Sequence, residues 1–73
     1  MAIEMDVKRR IGAMSSRPNG WKKELNMVSW NNQPAKYDIR EWDETHTKMS
    51  KGITLTAEEA IALYGLLKEE FDK

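Results

Sequence analysis

Lys36-Tyr37-Asp38-Ile39-Arg40-Glu41-Trp42, a polar run, and then Lys51-Gly52-Ile53-Thr54-Leu55-Thr56-Ala57-Glu58-Glu59 is the stretch that decides the fold. In Lys36 to Trp42 the side chains divide with period two. Tyr37, Ile39 and Glu41 take one face, and Lys36, Asp38, Arg40 and Trp42 the other, which is the pattern of a strand. Lys51 to Leu55 repeats it, with Ile53 and Leu55 on one face. The period then changes. Thr56 followed by Glu59 is a capping box, in which the threonine caps and the glutamate reaches back. Glu58 and Glu59 suit the positive end of a helix dipole. Ala60, Ile61, Leu63, Tyr64, Leu67 and Phe71 recur at three- and four-residue spacing, Leu66 widens the stripe, and the helix has an apolar face to bury.

Working towards the N-terminus, Asn31-Asn32-Gln33-Pro34 and Ser15-Ser16-Arg17-Pro18-Asn19-Gly20 are turn clusters. They bound two more strands, Trp21 to Trp30 and Ile3 to Met14. The second alternates throughout except at Arg9. Asp43 to Ser50 is a polar connection, and Gly52 marks a bend. The expected architecture is α+β: a curved four-stranded antiparallel meander and one C-terminal helix, β-β-β-β-α, in a single domain over residues 1–73.

One helix covers one face of such a sheet. The covered face is expected to hold Ile11, Leu25, Met27, Tyr37, Ile39, Ile53 and Leu55. The opposite, wet face then collects Lys8, Arg10, Lys22, Asn26, Trp30, Lys36, Arg40 and Trp42. Long cations interleaved with tryptophan are what a single-stranded nucleic acid needs. Lysine and arginine neutralise phosphates, and aromatic rings stack on exposed bases with little sequence preference. The alternative places Trp30 and Trp42 at a dimer interface or under a loop.

Composition narrows the classes. The 73 residues carry 12 basic and 12 acidic side chains and no net charge. The balance is uneven: Val7 to Thr56 holds 10 basic and 5 acidic residues, while Ala57 to Lys73 holds 5 acidic and 2 basic. A neutral total therefore conceals a basic body. There is no cysteine and one histidine, which excludes disulfides and Cys/His zinc sites. No apolar run reaches the ~18 residues of a spanning helix. Met1 to Asp6 lacks an export pattern, so an unexported, cytoplasmic chain is expected, and the methionine at position 1 leads to the expectation of a complete one. A domain this small, without disulfide or metal, needs other support, and a second copy of the chain is the expected one.

The order and spacing of these segments resemble the single-strand-binding domain of the positive cofactor four transcriptional coactivators. That family has an Asp-Ile-Arg-Glu-aromatic strand, a polar loop, and Lys-Gly-Ile-Ser/Thr-Leu leading into its helix. Gly20-Trp21, Lys23-Glu24-Leu25-Asn26, Val28-Ser29-Trp30-Asn31 and Tyr37-Asp38-Ile39-Arg40 are similar to its bacterial, YdbC-like branch. The resemblance spans about Val7 to Leu67. It implies a homodimer whose paired sheets form channels for single strands. It implies binding positions at Arg40 and Lys51, with Trp42 near the family's strand-end aromatic. The turn after Trp30 departs from the family's Phe-Lys-Gly-Lys type, and only Lys36 keeps a cation there. The eukaryotic regulatory N-terminal region is absent, so a coactivator role does not carry over from the resemblance.

The expected nucleic-acid-binding set is therefore Lys8, Arg10, Lys22, Lys23, Asn26, Trp30, Lys36, Arg40, Trp42, Lys48 and Lys51, with no catalytic residue, metal, cofactor, membrane or small-molecule substrate. The expected role is binding of single-stranded DNA, with RNA open, in transcription, replication or repair. Enzyme readings are weaker. His46 lies in Asp43-Glu44-Thr45-His46-Thr47 and reads as a solvated loop histidine, not a triad member. The four glycines are scattered and form no phosphate loop. The rival class is a protein–protein adaptor that uses the helix and the tryptophan face.

Overall fold

The computed structural model describes residues 4–73; the expected strand start at Ile3 lies outside them. Four strands, β1 (Met5–Ser16), β2 (Lys22–Trp30), β3 (Lys36–Trp42) and β4 (Ile53–Leu55), form one antiparallel sheet in the order β1-β2-β3-β4, followed by helix α1 (Ala57–Phe71). The expected α+β meander is the observed architecture. Boundaries differ by a residue or two, and Lys51 and Gly52 belong to the connection and not to β4.

The turns follow from their residues. Asn31 and Asn32 have φ of 50° and 63°, and the Gln33 N–H donates to the Trp30 carbonyl at 2.9 Å. Two left-handed residues of this kind match the twist of a hairpin. Gly20, at φ 92°, closes the β1–β2 turn, where the Gly20 N–H donates to the Arg17 carbonyl at 2.9 Å. The helix start is capped as read: the Thr56 hydroxyl accepts the Glu59 N–H at 3.1 Å and the Glu59 carboxylate accepts the Thr56 N–H at 2.9 Å.

β2 and β3 pair in continuous register from Lys22 opposite Trp42 to Val28 opposite Lys36. Leu25, Met27, Tyr37 and Ile39 therefore share one face, and Glu24, Asn26, Asp38 and Arg40 the other, as expected. β1 departs from simple alternation. Its register against β2 shifts between Val7 and Arg9, between Arg10 and Gly12, and between Ala13 and Ser15. Each bulge moves one residue out of phase and adds twist, so Lys8 and Ile11 sit at irregularities and not on fixed faces. Bulges also blunt β1 as an exposed edge.

The expected helix cover is only partial. Among the described residues the helix buries none of its side chains, and Ile61 (70% exposed), Tyr64, Leu66, Leu67 and Phe71 (77%) are exposed. Between helix and sheet lies an open apolar cleft of about 410 Å³ lined by Met14, Leu25, Tyr37, Ile39 and Leu55 below and Ala60, Ile61, Leu63, Tyr64 and Leu67 above. The buried apolar residues, Val28 and Trp42, belong instead to the opposite face.

Candidate nucleic-acid interface

The face opposite the helix is not wet. Trp42 is 2% exposed and Asn26 1%, and Glu24 and Asp38 are buried beside them. The reason is the connection from Asp43 to Gly52, which folds back over the sheet. Asp43 organises it: its carboxylate accepts the N–H groups of Thr47 (2.8 Å) and Lys48 (3.0 Å), and its own N–H donates to the Lys48 carbonyl at 3.0 Å. The Lys48 and Thr47 bonds hold the Asp43 carboxyl below its ordinary value. Met49 then pairs with Trp42, and the His46 ring lies 5.7 Å from the Trp42 ring. Trp42 is thus the tryptophan under a loop. The expectation that it offers an open ring to a base is corrected, as is the exposure expected of Asn26.

Arg40 is held by its own sheet. Its Nε and Nη2 donate to Asp38 Oδ1 and Oδ2 at 2.6 and 2.7 Å, and Nη1 donates to the Ser50 carbonyl at 3.3 Å. The guanidinium also lies 4.8 Å from the Trp30 ring centroid, within the range of a cation–π contact. With its side chain 11% exposed and that of Asp38 fully buried, Arg40 positions the half-buried Trp30 and ties the loop down. Trp30 Nε1, Trp42 Nε1 and Asn26 Oδ1 are the buried side-chain atoms that find no hydrogen-bond partner among the described residues.

His46 is the residue that sequence reasoning misread. It is half-buried at φ 59°, with Nε2 2.9 Å from Glu24 Oε2 and Arg10 Nη1 3.2 Å from its ring nitrogens. Burial pushes the Glu24 carboxyl up, but hydrogen bonds from Asn26 and His46 and the charge of Arg10 outweigh it and hold Glu24 below its ordinary value. The signal was the position of His46 in a connection that the topology must fold onto either the sheet or solvent, and composition cannot choose between them.

The remaining cations form the exposed part of the site. Lys22, Lys23, Lys36, Lys48 and Lys51 are exposed and make no ion pair with the described residues. Arg9, which was set aside as a break in alternation, shares that condition. Lys8 instead pairs with Asp6 at 2.7 Å and Arg17 with Glu41 at 2.7 Å. Register places Lys36 and Lys22 on the Trp30–Trp42 face, opposite Val28 and Trp42, and Arg10 beside them opposite Asn26. Lys36 and Lys22 are about 20 Å apart at ~3.3 Å per residue. Lys23 and Lys51 do not join this row; with Ser50 and Gly52 they line a smaller cleft of about 290 Å³ where the loop meets β3. Gly52 is required there, since an added Cβ would meet the Ile39 carbonyl and the Arg40 side chain.

Comparison with known proteins places this geometry. Residues 17–65 match the family described as Transcriptional Coactivator p15 (PC4). The chain belongs to this family. A protein of Treponema pallidum (strain Nichols), described as uncharacterized, is 50% identical over 62 residues, covering 85% of this chain and 73% of that one. The p15 coactivator match takes in β2, β3, the folded-back loop, β4 and the first turns of α1, so it includes every expected site residue except Lys8 and Arg10. The p15 family is one of DNA-binding coactivator domains, and a general nucleic-acid-binding role goes with membership. Among the described residues, no helix is long and apolar enough to cross a membrane.

Proposed function

We propose that the chain binds single-stranded nucleic acid, DNA or RNA, with little sequence preference and without catalysis, as a homodimer in the cytoplasm. Transcription, replication and repair are the processes in which such binding is used. The observation that carries the reading is the exposure of Lys22 and Lys36 on the polar face without a carboxylate partner among the described residues, with Arg10 between them. Phosphates supply the missing counter-charge. Lys22, Arg10 and Lys36 mark a track across β2, β1 and β3, and Trp30 lies on the same face with Arg40 against its ring. Lys48 is exposed on the loop, and Lys51 with Lys23 lines the separate smaller cleft. Trp42, Asn26 and Arg40 act from beneath as the framework of the track.

Dimerisation is supported by surface arithmetic. A folded monomer of 8.5 kDa is expected to expose about 4,700 Å², whereas this chain exposes 5814 Å². Its radius of gyration is 13.5 Å, against about 11 Å for a compact chain of this length. The excess of about 1,100 Å² per chain doubles to an area in the range of obligate homodimers. The apolar cleft and the outer stripe of α1 are the surface available for it. Light scattering that returns 8.5 kDa at tens of micromolar contradicts the dimer. It would leave the same stripe for a different protein, the adaptor reading.

The binding test is a salt series. Lys22→Ala and Lys36→Ala should each weaken oligo-dT binding and flatten the log–log salt slope by about 0.7. Unchanged slopes in both variants would remove the phosphate track.

A further inference from the structure

His46 sits between opposite charges carried by two strands. Glu24 of β2 lies 2.9 Å from Nε2, and Arg10 of β1 approaches Nδ1 and Nε2 at 3.2 Å each. β3 contributes the uncharged Trp42 ring at 5.7 Å. Of the loop's own charges, Asp43 is engaged with the Thr47 and Lys48 N–H groups, Glu44 lies against Gly20, and Lys48 is exposed. Nε2–H donates to the Glu24 carboxylate, and Arg10 Nη1, at the same distance from both ring nitrogens, lies against the face of the ring and not on the Nδ1 lone pair. A protonated ring has no acceptor. It keeps a stronger, charge-assisted bond to Glu24, but sets a positive charge against the Arg10 guanidinium on its face. The left-handed backbone at His46 is uncommon outside glycine, and it presents the ring inward and not to solvent.

We infer that His46 is a positioning residue that keeps Arg10 bound to the loop when the imidazole is neutral and releases it to a nucleic-acid phosphate when the imidazole is protonated. The inference rests on the reading of this face as the binding surface. Histidine changes charge between pH 5 and 8, and Glu24, held below 4.5, stays ionised through that window. Lower pH therefore tightens binding without unlatching the loop. One regained phosphate contact contributes a factor of about 10^0.7, or roughly fivefold, at ~0.1 M salt relative to 1 M.

The experiment has two arms. The first measures oligo-dT affinity at pH 7.5 and 5.5 in ~0.1 M salt for the wild type, His46→Gln and Arg10→Ala. A gain of about fivefold in the wild type, shrinking below about twofold in both variants, is expected. An equal gain in His46→Gln, or none in the wild type, overturns the inference. The second arm follows ring ¹⁵N shifts of His46 and the Arg10 side-chain N–H by NMR in the free protein across the same range. An Nε2–H tautomer at pH 7.5, with Arg10 shifting as His46 titrates, is expected. An Nδ1–H tautomer, or an Arg10 signal indifferent to the titration, overturns it. If no strand binds at either pH, the proposed function fails, and the second arm still decides whether His46 controls Arg10.

Discussion

Replacing Asp38 by asparagine removes one charge from the most enclosed ion pair among the described residues. Asp38 is fully buried, and it accepts two hydrogen bonds from Arg40, at 2.6 and 2.7 Å, and a third from the Thr54 hydroxyl at 3.3 Å. Asparagine preserves the volume and one acceptor, but turns an amide N–H towards a guanidinium that has no other carboxylate partner. Breaking a buried pair from one side costs about 3–5 kcal/mol. A chain of 73 residues has about 4–11 kcal/mol in total, at ~0.05–0.15 per residue. Asp38→Asn should therefore remove about a quarter of the stability or more, and lower Tm by at least about 12 °C at ~4 °C per kcal/mol. Urea unfolding followed by circular dichroism at one fixed protein concentration measures it, since a dimer's stability depends on concentration. The double replacement Asp38→Leu with Arg40→Met should recover most of the loss, because no charge is then stranded. A loss below about 1 kcal/mol in Asp38→Asn, the value of a solvent-screened surface pair, would refute the reasoning.

Three further outcomes follow from the folded-back loop. Gly52→Ala should destabilise by about 1–3 kcal/mol, because its Cβ collides with the Ile39 carbonyl and Arg40; thermal melts check it. Trp42→Ala should cost about 3–5 kcal/mol as a core truncation, whereas removing an exposed stacking ring would leave Tm unchanged and reduce only binding. Acid should open the loop. Glu24 and Asp43 lie below their ordinary values of 4.5 and 3.8. Their contribution is present above those values and lost as pH falls through the lower folded-state ones. A red shift of tryptophan emission should begin only below about pH 4, and an onset near pH 6 would contradict it.

β2, β3 and the helix start were legible because each is governed by local rules. Parity assigns faces wherever the ladder is unbroken, as from Lys22 opposite Trp42 to Val28 opposite Lys36, and a capping box announces its helix within four residues. β1 was legible as a strand but not in phase, since nothing in Lys8-Arg9-Arg10-Ile11 shows where a bulge will fall. Parity also says which side of the sheet Trp42 and Asn26 occupy, but not what closes over that side. That depends on Asp43 gathering its own loop and on His46 reaching Glu24, 22 residues away. Arg40 was read as a free cation for the same reason: Asp38 lies two residues before it on the same face, and alternation alone does not distinguish a pair from two neighbours. The exposed lysines were legible because nothing needed to fold around them.

In the proposed function this face receives a single strand along a row of exposed cations. The most direct measurement is the affinity of the wild-type protein for one labelled oligonucleotide, single-stranded and as its duplex, at ~0.1 and ~0.3 M salt. Tighter binding of the single strand at both salts is expected, because a flexible backbone can follow Lys36, Arg10 and Lys22 across the twisted sheet and leave a base free to meet Trp30. Weakening of both forms as salt rises is also expected. Equal affinity for the two forms, or single-strand binding indifferent to salt, would contradict it.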